Sequence, residues 1–104
     1  MASTVIGSGI TIEGEVLADE DVVVQGTIRG KLSAKDAVTV EQGAVVEADV
    51  TAGPVSVAGA ITGNITSSDR VDLQNGARVI GNVKATRITI ADGAHFKGNV
   101  DMDV

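Results

Sequence analysis

The sequence predicts an all-β fold, a parallel β-helix with three-sided coils, and two observations support that prediction. The first is a motif that recurs six times and ends on an apolar residue at positions 16, 32, 50, 65, 83 and 100. One copy reads Gly9, Ile12, Gly14, Val16. A repeat of about 17 residues is typical of solenoids, in which each repeat forms one coil. Six copies therefore predict about six coils.

The second observation is the alternation of side chains within each repeat. Short segments with β-branched residues at every other position precede the motif, at 22–24, 38–40, 55–57, 71–73 and 88–90. Such alternation predicts strands, and no segment shows the 3.6-residue period of a helix. A glycine corner follows, then a second short strand centred on the apolar residue of the motif, then a third. Three strands per coil predict a triangular cross-section.

Stacking of coils places equivalent residues in columns about 4.8 Å apart. Two columns are predicted inside the core: Ile12, Ile28, Val46, Ile61, Val79, Phe96 and Val16, Leu32, Val50, Ile65, Val83, Val100. Two others are predicted on the surface: Glu13, Arg29, Glu47, Thr62, Ile80, Lys97 and Glu15, Lys31, Asp49, Asn64, Asn82, Asn99. The first surface column starts with alternating charges. The second ends in an asparagine ladder, whose side-chain amides bond along the stack.

Composition excludes several classes of function. The net charge of −6 disfavours binding to nucleic acid, and the chain has no cysteine for disulfide or thiol chemistry. Phe96 is the one aromatic residue, so platforms for sugars and bases are lacking. His95 is the one histidine, without a serine or carboxylate constellation around it, and no phosphate-binding loop motif occurs. We therefore expect no enzyme activity, no cofactor and no metal.

A surface of flat Thr-x-Thr rows, as in ice-binding solenoids, is also disfavoured. The centres of the short segments are predicted to run Thr11, Val23, Thr39, Ser56, Asp72, Thr89. The chain is expected to form one domain, with a short tail at 1–4, the β-helix at 5–102 and a short end at 103–104. No secretory signal or membrane span is recognisable in it.

Three segments carry a resemblance to a known family. Residues 6–14 (IGSGITIEG), 24–30 (VQGTIRG) and 93–98 (GAHFKG) resemble the opening, second and closing coils of bactofilins, over roughly 4–102. The resemblance implies a right-handed β-helix that polymerises without nucleotide into non-polar filaments. It implies a cytoplasmic, cytoskeletal location, often on the inner face of the membrane, and a scaffolding role with cell-wall or positioning proteins as partners. Residues 1–4 are too short for an apolar membrane anchor, so we expect either no membrane association or association through a partner.

The ends of the β-helix are the expected sites of self-association, because each end exposes unpaired backbone groups and the apolar core. At the N-terminal end these are Val5, Ile6, Ile10 and Ile12, and at the C-terminal end Phe96, Val100 and Met102. Pairing of like ends gives alternating two-fold contacts and a non-polar filament, whereas head-to-tail stacking gives a polar one. The residues themselves do not distinguish the two arrangements, and the resemblance to bactofilins favours the non-polar filament.

One alternative function shares the fold. A β-helix with blocked ends would not polymerise and would instead recruit partner proteins through a side face. Two apolar residues, Ile80 and Val45, are also predicted to point outward, and both are candidates for a lateral contact between filaments.

Overall fold

The structure is a computed structural model that describes residues 3–102, and side chains from 4 to 101, as twelve parallel strands. They are β1 (Ser3–Ile6), β2 (Thr11–Ala18), β3 (Asp21–Val24), β4 (Thr27–Ala34), β5 (Val38–Val40), β6 (Val45–Ala52), β7 (Val55–Val57), β8 (Ala60–Ser67), β9 (Arg70–Leu73), β10 (Arg78–Ala85), β11 (Arg87–Ile90) and β12 (His95–Met102). No helix occurs in this part of the chain. Residues 1–2 of the expected tail and the expected end at 103–104 lie outside it, while residues 3 and 4 already belong to β1.

The odd-numbered strands form one sheet and the even-numbered strands form a second, each in the order of the chain. One coil therefore consists of a short strand and the eight-residue strand that follows, and six coils stack. Coil one contains β1 and β2, and coil six contains β11 and β12. The predicted fold class, an all-β, right-handed, three-sided parallel β-helix of about six coils, is confirmed.

The second and third strands predicted for each coil are one continuous strand. The strand turns the corner at its fourth residue, which is glycine in every coil but the third. These glycines have a positive φ, for example 132° at Gly81. Parallel pairing continues through this residue, with Gly81 opposite Gly63 and Gly98. The corner bends the strand without ending it, and only the pairing of β6 with β8 skips the corner, at Ala48 and Asp49. The prediction of separate strands on the two sides of the glycine was therefore wrong.

The register confirms the predicted columns. Each member of a column pairs with the member in the next coil. One column runs Ile12, Ile28, Val46, Ile61, Val79, Phe96, and the other runs Val16, Leu32, Val50, Ile65, Val83, Val100. The members in coils two to five are fully buried and form the core together with the inward residues of the short strands. The core is thus a stack of thin apolar layers, one per coil.

One predicted column needs a correction in the first coil. Val5 rather than Thr11 pairs with Val23, while Thr11 pairs with Thr27 at the start of a long strand. The reason is that the segment 10–12 resembles the alternating short strands in composition. The short strand of coil one lies earlier, at β1.

Both outward columns form contacts along the stack. Arg29 lies 3.7 Å from a carboxylate oxygen of Glu13 and 3.0 Å from one of Glu47. The side-chain amide of Asn99 donates to Asn82, and that of Asn82 donates to Asn64, each at 3.2 Å. These groups are exposed, where a single ion pair contributes about 0–1 kcal/mol. Their main consequence is therefore to fix the register between coils.

Candidate functional site

The two ends of the stack expose the edges of both sheets. In the described residues 3–102, β1 and β2 are paired on one side only, and so are β11 and β12. An edge strand presents a row of unpaired N–H and C=O groups to any strand that approaches it. Both ends can therefore extend the sheets by pairing with another chain.

The apolar core becomes exposed at the C-terminal end. Leu73 is 1% exposed in coil five, whereas Ile90, the next member of its column, is 52% exposed. Val83 is likewise 1% exposed and its neighbour Val100 is 44% exposed. These side chains point inward, so their exposure arises from the missing coil beyond them. The C-terminal end is an uncovered layer of the core.

Two of the three residues predicted at this end lie in that layer. Phe96 is partly buried against Val79, and Val100 is exposed. The backbone of Met102 ends β12, but its side chain lies outside the described residues. Sequence reasoning missed Ile88 and Ile90, although both belong to a recognised alternating segment and continue its inward columns. The position of that segment in the last coil was the available signal.

The N-terminal end has a matching apolar layer. Ile12 is half-buried at the start of its column, and Ile6 is buried beside Val24. Ile10 is 49% exposed and accepts a backbone hydrogen bond from Thr27. Equivalent positions in the next coils hold only small residues: Gly26, Ala44, Gly59, Ala77 and Ala94.

The small residues show why Ile10 occurs only in coil one. A Cβ atom on Gly26 would overlap the carbonyl oxygen of Ile10 in the preceding coil. In the first coil this space is free of described residues, so a branched apolar side chain fits there. Ile10 therefore adds to the apolar surface of the end itself.

Not every predicted N-terminal residue lies on the end surface. Val5 points outward from β1, next to Val23, and is exposed on the side of the coil. Leu17, which was not predicted, is exposed on another side of coil one. These two residues widen the apolar area around the rim.

The two ends differ in charge. Between residues 4 and 20 lie four carboxylates, Glu13, Glu15, Asp19 and Glu20, and no lysine or arginine. The last coil, from 86 to 101, holds two cations (Arg87, Lys97) and two anions (Asp92, Asp101). The N-terminal end therefore carries a formal charge of −4 and the C-terminal end is neutral.

Other types of site find little support among residues 3–102. No group of three or more potential metal ligands occurs there. His95 lies on the surface beside Lys97 and opposite Arg78, in an open depression of about 410 Å³. No helix in that range is long and apolar enough to cross a membrane.

Nearly the whole chain is similar to proteins of one known family. The family described as "Bactofilin: Polymer-forming cytoskeletal" matches residues 4–101. Bactofilin BacO of Myxococcus xanthus (strain DK1622) is 58% identical over 104 residues, covering 100% of this chain and 82% of BacO. Bactofilin BacN of the same strain is 54% identical over 100 residues, covering 96% of this chain and 88% of BacN.

Solved structures agree with the sequence relatives. The cytoskeletal bactofilin BacA, determined by solid-state NMR, superimposes with a TM-score of 0.87 at 27% identity, over 98% of this chain and 97% of BacA. The bactofilin of Thermus thermophilus, reconstructed by cryo-EM as double helical filaments, gives a TM-score of 0.91 at 27% identity, over 96% and 99%. The resemblance inferred from three short segments is confirmed, and the chain belongs to the bactofilin family of polymer-forming cytoskeletal proteins.

Proposed function

We propose that this protein is a structural subunit that assembles end to end, without nucleotide, into non-polar filaments. The filaments act in the cytoplasm as a scaffold for cell shape or for the positioning of other proteins. The observation that carries the proposal is the exposed core layer at each end, framed by unpaired edge strands. The filaments of the Thermus thermophilus bactofilin support it, since that protein shares the fold across nearly the whole chain.

Burial of apolar side chains at the ends supplies a driving force for assembly that does not depend on nucleotide hydrolysis. Fully burying a Val, Ile or Phe side chain contributes about 1.5–3 kcal/mol. Ile90 and Val100 are about half exposed and Phe96 is partly buried, so each has at most about 1 kcal/mol still to gain. A joint between two C-terminal ends buries two copies of each side chain, which amounts to at most about 6 kcal/mol before the edge strands pair. Nucleotide hydrolysis has no step to drive in such an assembly.

Pairing of like ends is the arrangement that we propose. Each joint is then two-fold, and N-terminal and C-terminal joints alternate along the filament. Six coils at about 4.8 Å give a rise of about 29 Å per subunit, and the alternation doubles the exact repeat to about 58 Å. Head-to-tail stacking would keep the repeat at about 29 Å.

A non-catalytic role follows from the chemistry of the surface. Its one histidine lies among cations rather than beside a nucleophile or carboxylate, an arrangement with no base or acid pair for catalysis. We infer that the partners are other copies of the chain and the cell-wall or positioning proteins that the filament organises. Association with the inner face of the membrane would act through such partners.

Electron microscopy of the purified protein tests the proposal. The buffer contains EDTA and no nucleotide, and a parallel sample receives ATP and Mg²⁺. We expect unbranched filaments of equal length in both, with an axial repeat near 58 Å. Filaments that form only with ATP would refute nucleotide independence, and a repeat of 29 Å would refute the non-polar arrangement. Monodisperse particles in both buffers would favour the non-polymerising scaffold that recruits partners through a side face.

A further inference from the structure

One lateral face of the β-helix combines apolar and charged residues in an unequal distribution along its length. We name it the graded face. It consists of the outward residues in the first three positions of each long strand, which form two columns: Thr11, Thr27, Val45, Ala60, Arg78, His95 and Glu13, Arg29, Glu47, Thr62, Ile80, Lys97. Its charge and polarity change from coil one to coil six.

The N-terminal half of the graded face is acidic and the C-terminal half is basic. Glu13 and Glu47 flank Arg29, which gives coils one to three a formal charge of −1. Arg78 and Lys97 give coils four to six a charge of +2. A face with opposite charges at its two ends is complementary to itself when one copy is reversed.

The middle of the graded face is apolar. Ile80 is 51% exposed, Val45 is exposed, and Ala60 lies between their coils. A shallow depression of about 280 Å³ includes Val45 and Ala60, and a second of about 410 Å³ includes Ile80. Coils three and five are paired on both sides. End-to-end assembly therefore leaves these apolar residues exposed, and only a lateral contact would cover them.

We propose that the graded face binds the graded face of a second copy in an antiparallel orientation. A two-fold axis along the strands, between coils three and four, sets coil one against coil six and coil three against coil four. Glu13 then faces Lys97, and Val45 faces Ala60. Ile80 faces the aliphatic part of Arg29, whose guanidinium is already held by Glu13 and Glu47.

The opposite orientation and other partners fit the face less well. A parallel pair would set acidic coils beside acidic coils and basic beside basic, which is unfavourable. An acidic peptide would match Arg78 and Lys97 but would be repelled by Glu13 and Glu47, whose charges Arg29 offsets only in part. A second copy sets Glu13 against Lys97 at both ends of the contact and covers Val45 and Ala60 at its centre, so the graded face fits its own copy.

The area of the face sets the expected strength of binding. Six coils at about 4.8 Å give a length of about 29 Å, so with a width of about 10 Å one subunit buries only about 300 Å². This is far below the roughly 800 Å² per partner of a stable interface. The contact gains strength when many subunits are joined in line. The inference thus rests on the proposed filaments for its affinity, while its geometry is testable in any state of assembly.

Site-directed cross-linking tests that geometry, because the chain has no cysteine of its own. Thr27→Cys protein is mixed with Arg78→Cys protein, treated with a short bismaleimide, and analysed by mass spectrometry of linked peptides. These positions lie in coils two and five, about 14 Å apart along the stack, and face each other only in the antiparallel pair. Antiparallel pairing therefore predicts that 27–78 links exceed 27–27 and 78–78 links severalfold. Thr66→Cys, an outward and exposed position in coil four but on another face, is the matched control and should form few links.

Soluble and sedimented fractions are analysed separately, so that a failure to polymerise does not hide lateral contacts. Adding Ile80→Lys to both cysteine proteins should reduce the 27–78 links severalfold, whereas Thr66→Lys should not. Raising the ionic strength should also reduce them, because salt screens the charged pairs. Equal amounts of all three links, dominant 27–27 links, or no effect of Ile80→Lys would each overturn the proposal while leaving end-to-end assembly intact.

Discussion

Replacement of Phe96 by arginine isolates the C-terminal joint. Phe96 closes an inward column at the open end, where it is only partly buried. In a single subunit an arginine there can extend its guanidinium into solvent, so the fold should persist. In a C-terminal joint two guanidinium groups would be enclosed without partners, at several kcal/mol each. About 1 kcal/mol of apolar burial per phenylalanine is lost as well.

Together these two effects weaken the C-terminal joint by at least about 5 kcal/mol, which lowers its affinity more than 10³-fold. Sedimentation velocity should therefore find no polymer. The species that remains reports the polarity of the filament, because the N-terminal end is unchanged. Two-fold joints predict a dimer of about twice the subunit mass of 10.5 kDa. Head-to-tail joints predict a monomer.

Two controls support the interpretation. Phe96→Leu keeps an apolar side chain and should retain polymer, and circular dichroism should show the same β-structure for all three proteins. Full-length filaments of Phe96→Arg at the wild-type critical concentration would refute the assignment of Phe96 to a joint. At a concentration and ionic strength at which the wild type polymerises, a folded monomer would refute alternating two-fold contacts but not the role of the C-terminal end.

Three further predictions concern the stability of the stack and the charge of its N-terminal end. Gly81→Ala should lower the free energy of unfolding by about 3 kcal/mol, because the added Cβ would overlap the carbonyl of Gly63 and the backbone would be strained. Gly76 also has a positive φ, but nothing lies close to the position of its Cβ, so Gly76→Ala should lower the free energy of unfolding by less in the same urea titration. Asn82→Ala removes two ladder bonds and should cost about 1 kcal/mol in the same titration, and no change would show that the ladder contributes only register. In the Phe96→Arg protein, raising sodium chloride from about 0.05 to 0.5 M should strengthen the N-terminal dimer severalfold. Salt screens the repulsion between two first coils of formal charge −4, which Arg29 and Lys35 of the second coil offset only in part. Weakening with salt would contradict that charge assignment.

Most of the fold was predictable because a solenoid repeats its constraints. Each column had six members, so a single atypical residue such as Ile80 did not obscure the pattern. The strand boundaries were less predictable. Glycine is ordinarily a signal for a turn, yet Gly81 bends a strand whose pairing with both neighbouring strands continues through it. Composition does not distinguish a bend from a break, because both need backbone angles that glycine permits.

The end surfaces were predictable only in part, for a different physical reason. Phe96 was noticed because it is unlike the other members of its column. Ile90 was overlooked because it resembles them: Leu73 and Ile90 have nearly the same chemistry and differ only in whether a coil lies beyond. Exposure at an end is a property of position in the stack, so it requires the register and not the residue type. Val5 and Thr11 were exchanged for the same reason, since the first coil has no preceding coil to fix its alignment.

The unequal ends also bear on how assembly would proceed. Joints of both types bury a layer of the same apolar core, but the N-terminal joint brings together two coils with a charge of −4 each, and the C-terminal joint brings together two neutral coils. Like charges oppose association when they are not screened. At low ionic strength we therefore expect C-terminal joints to form first, and the dimers so formed to be the units that add through their N-terminal ends. A filament built in this way has a strong and a weak joint in alternation, and its breakage would expose acidic N-terminal ends.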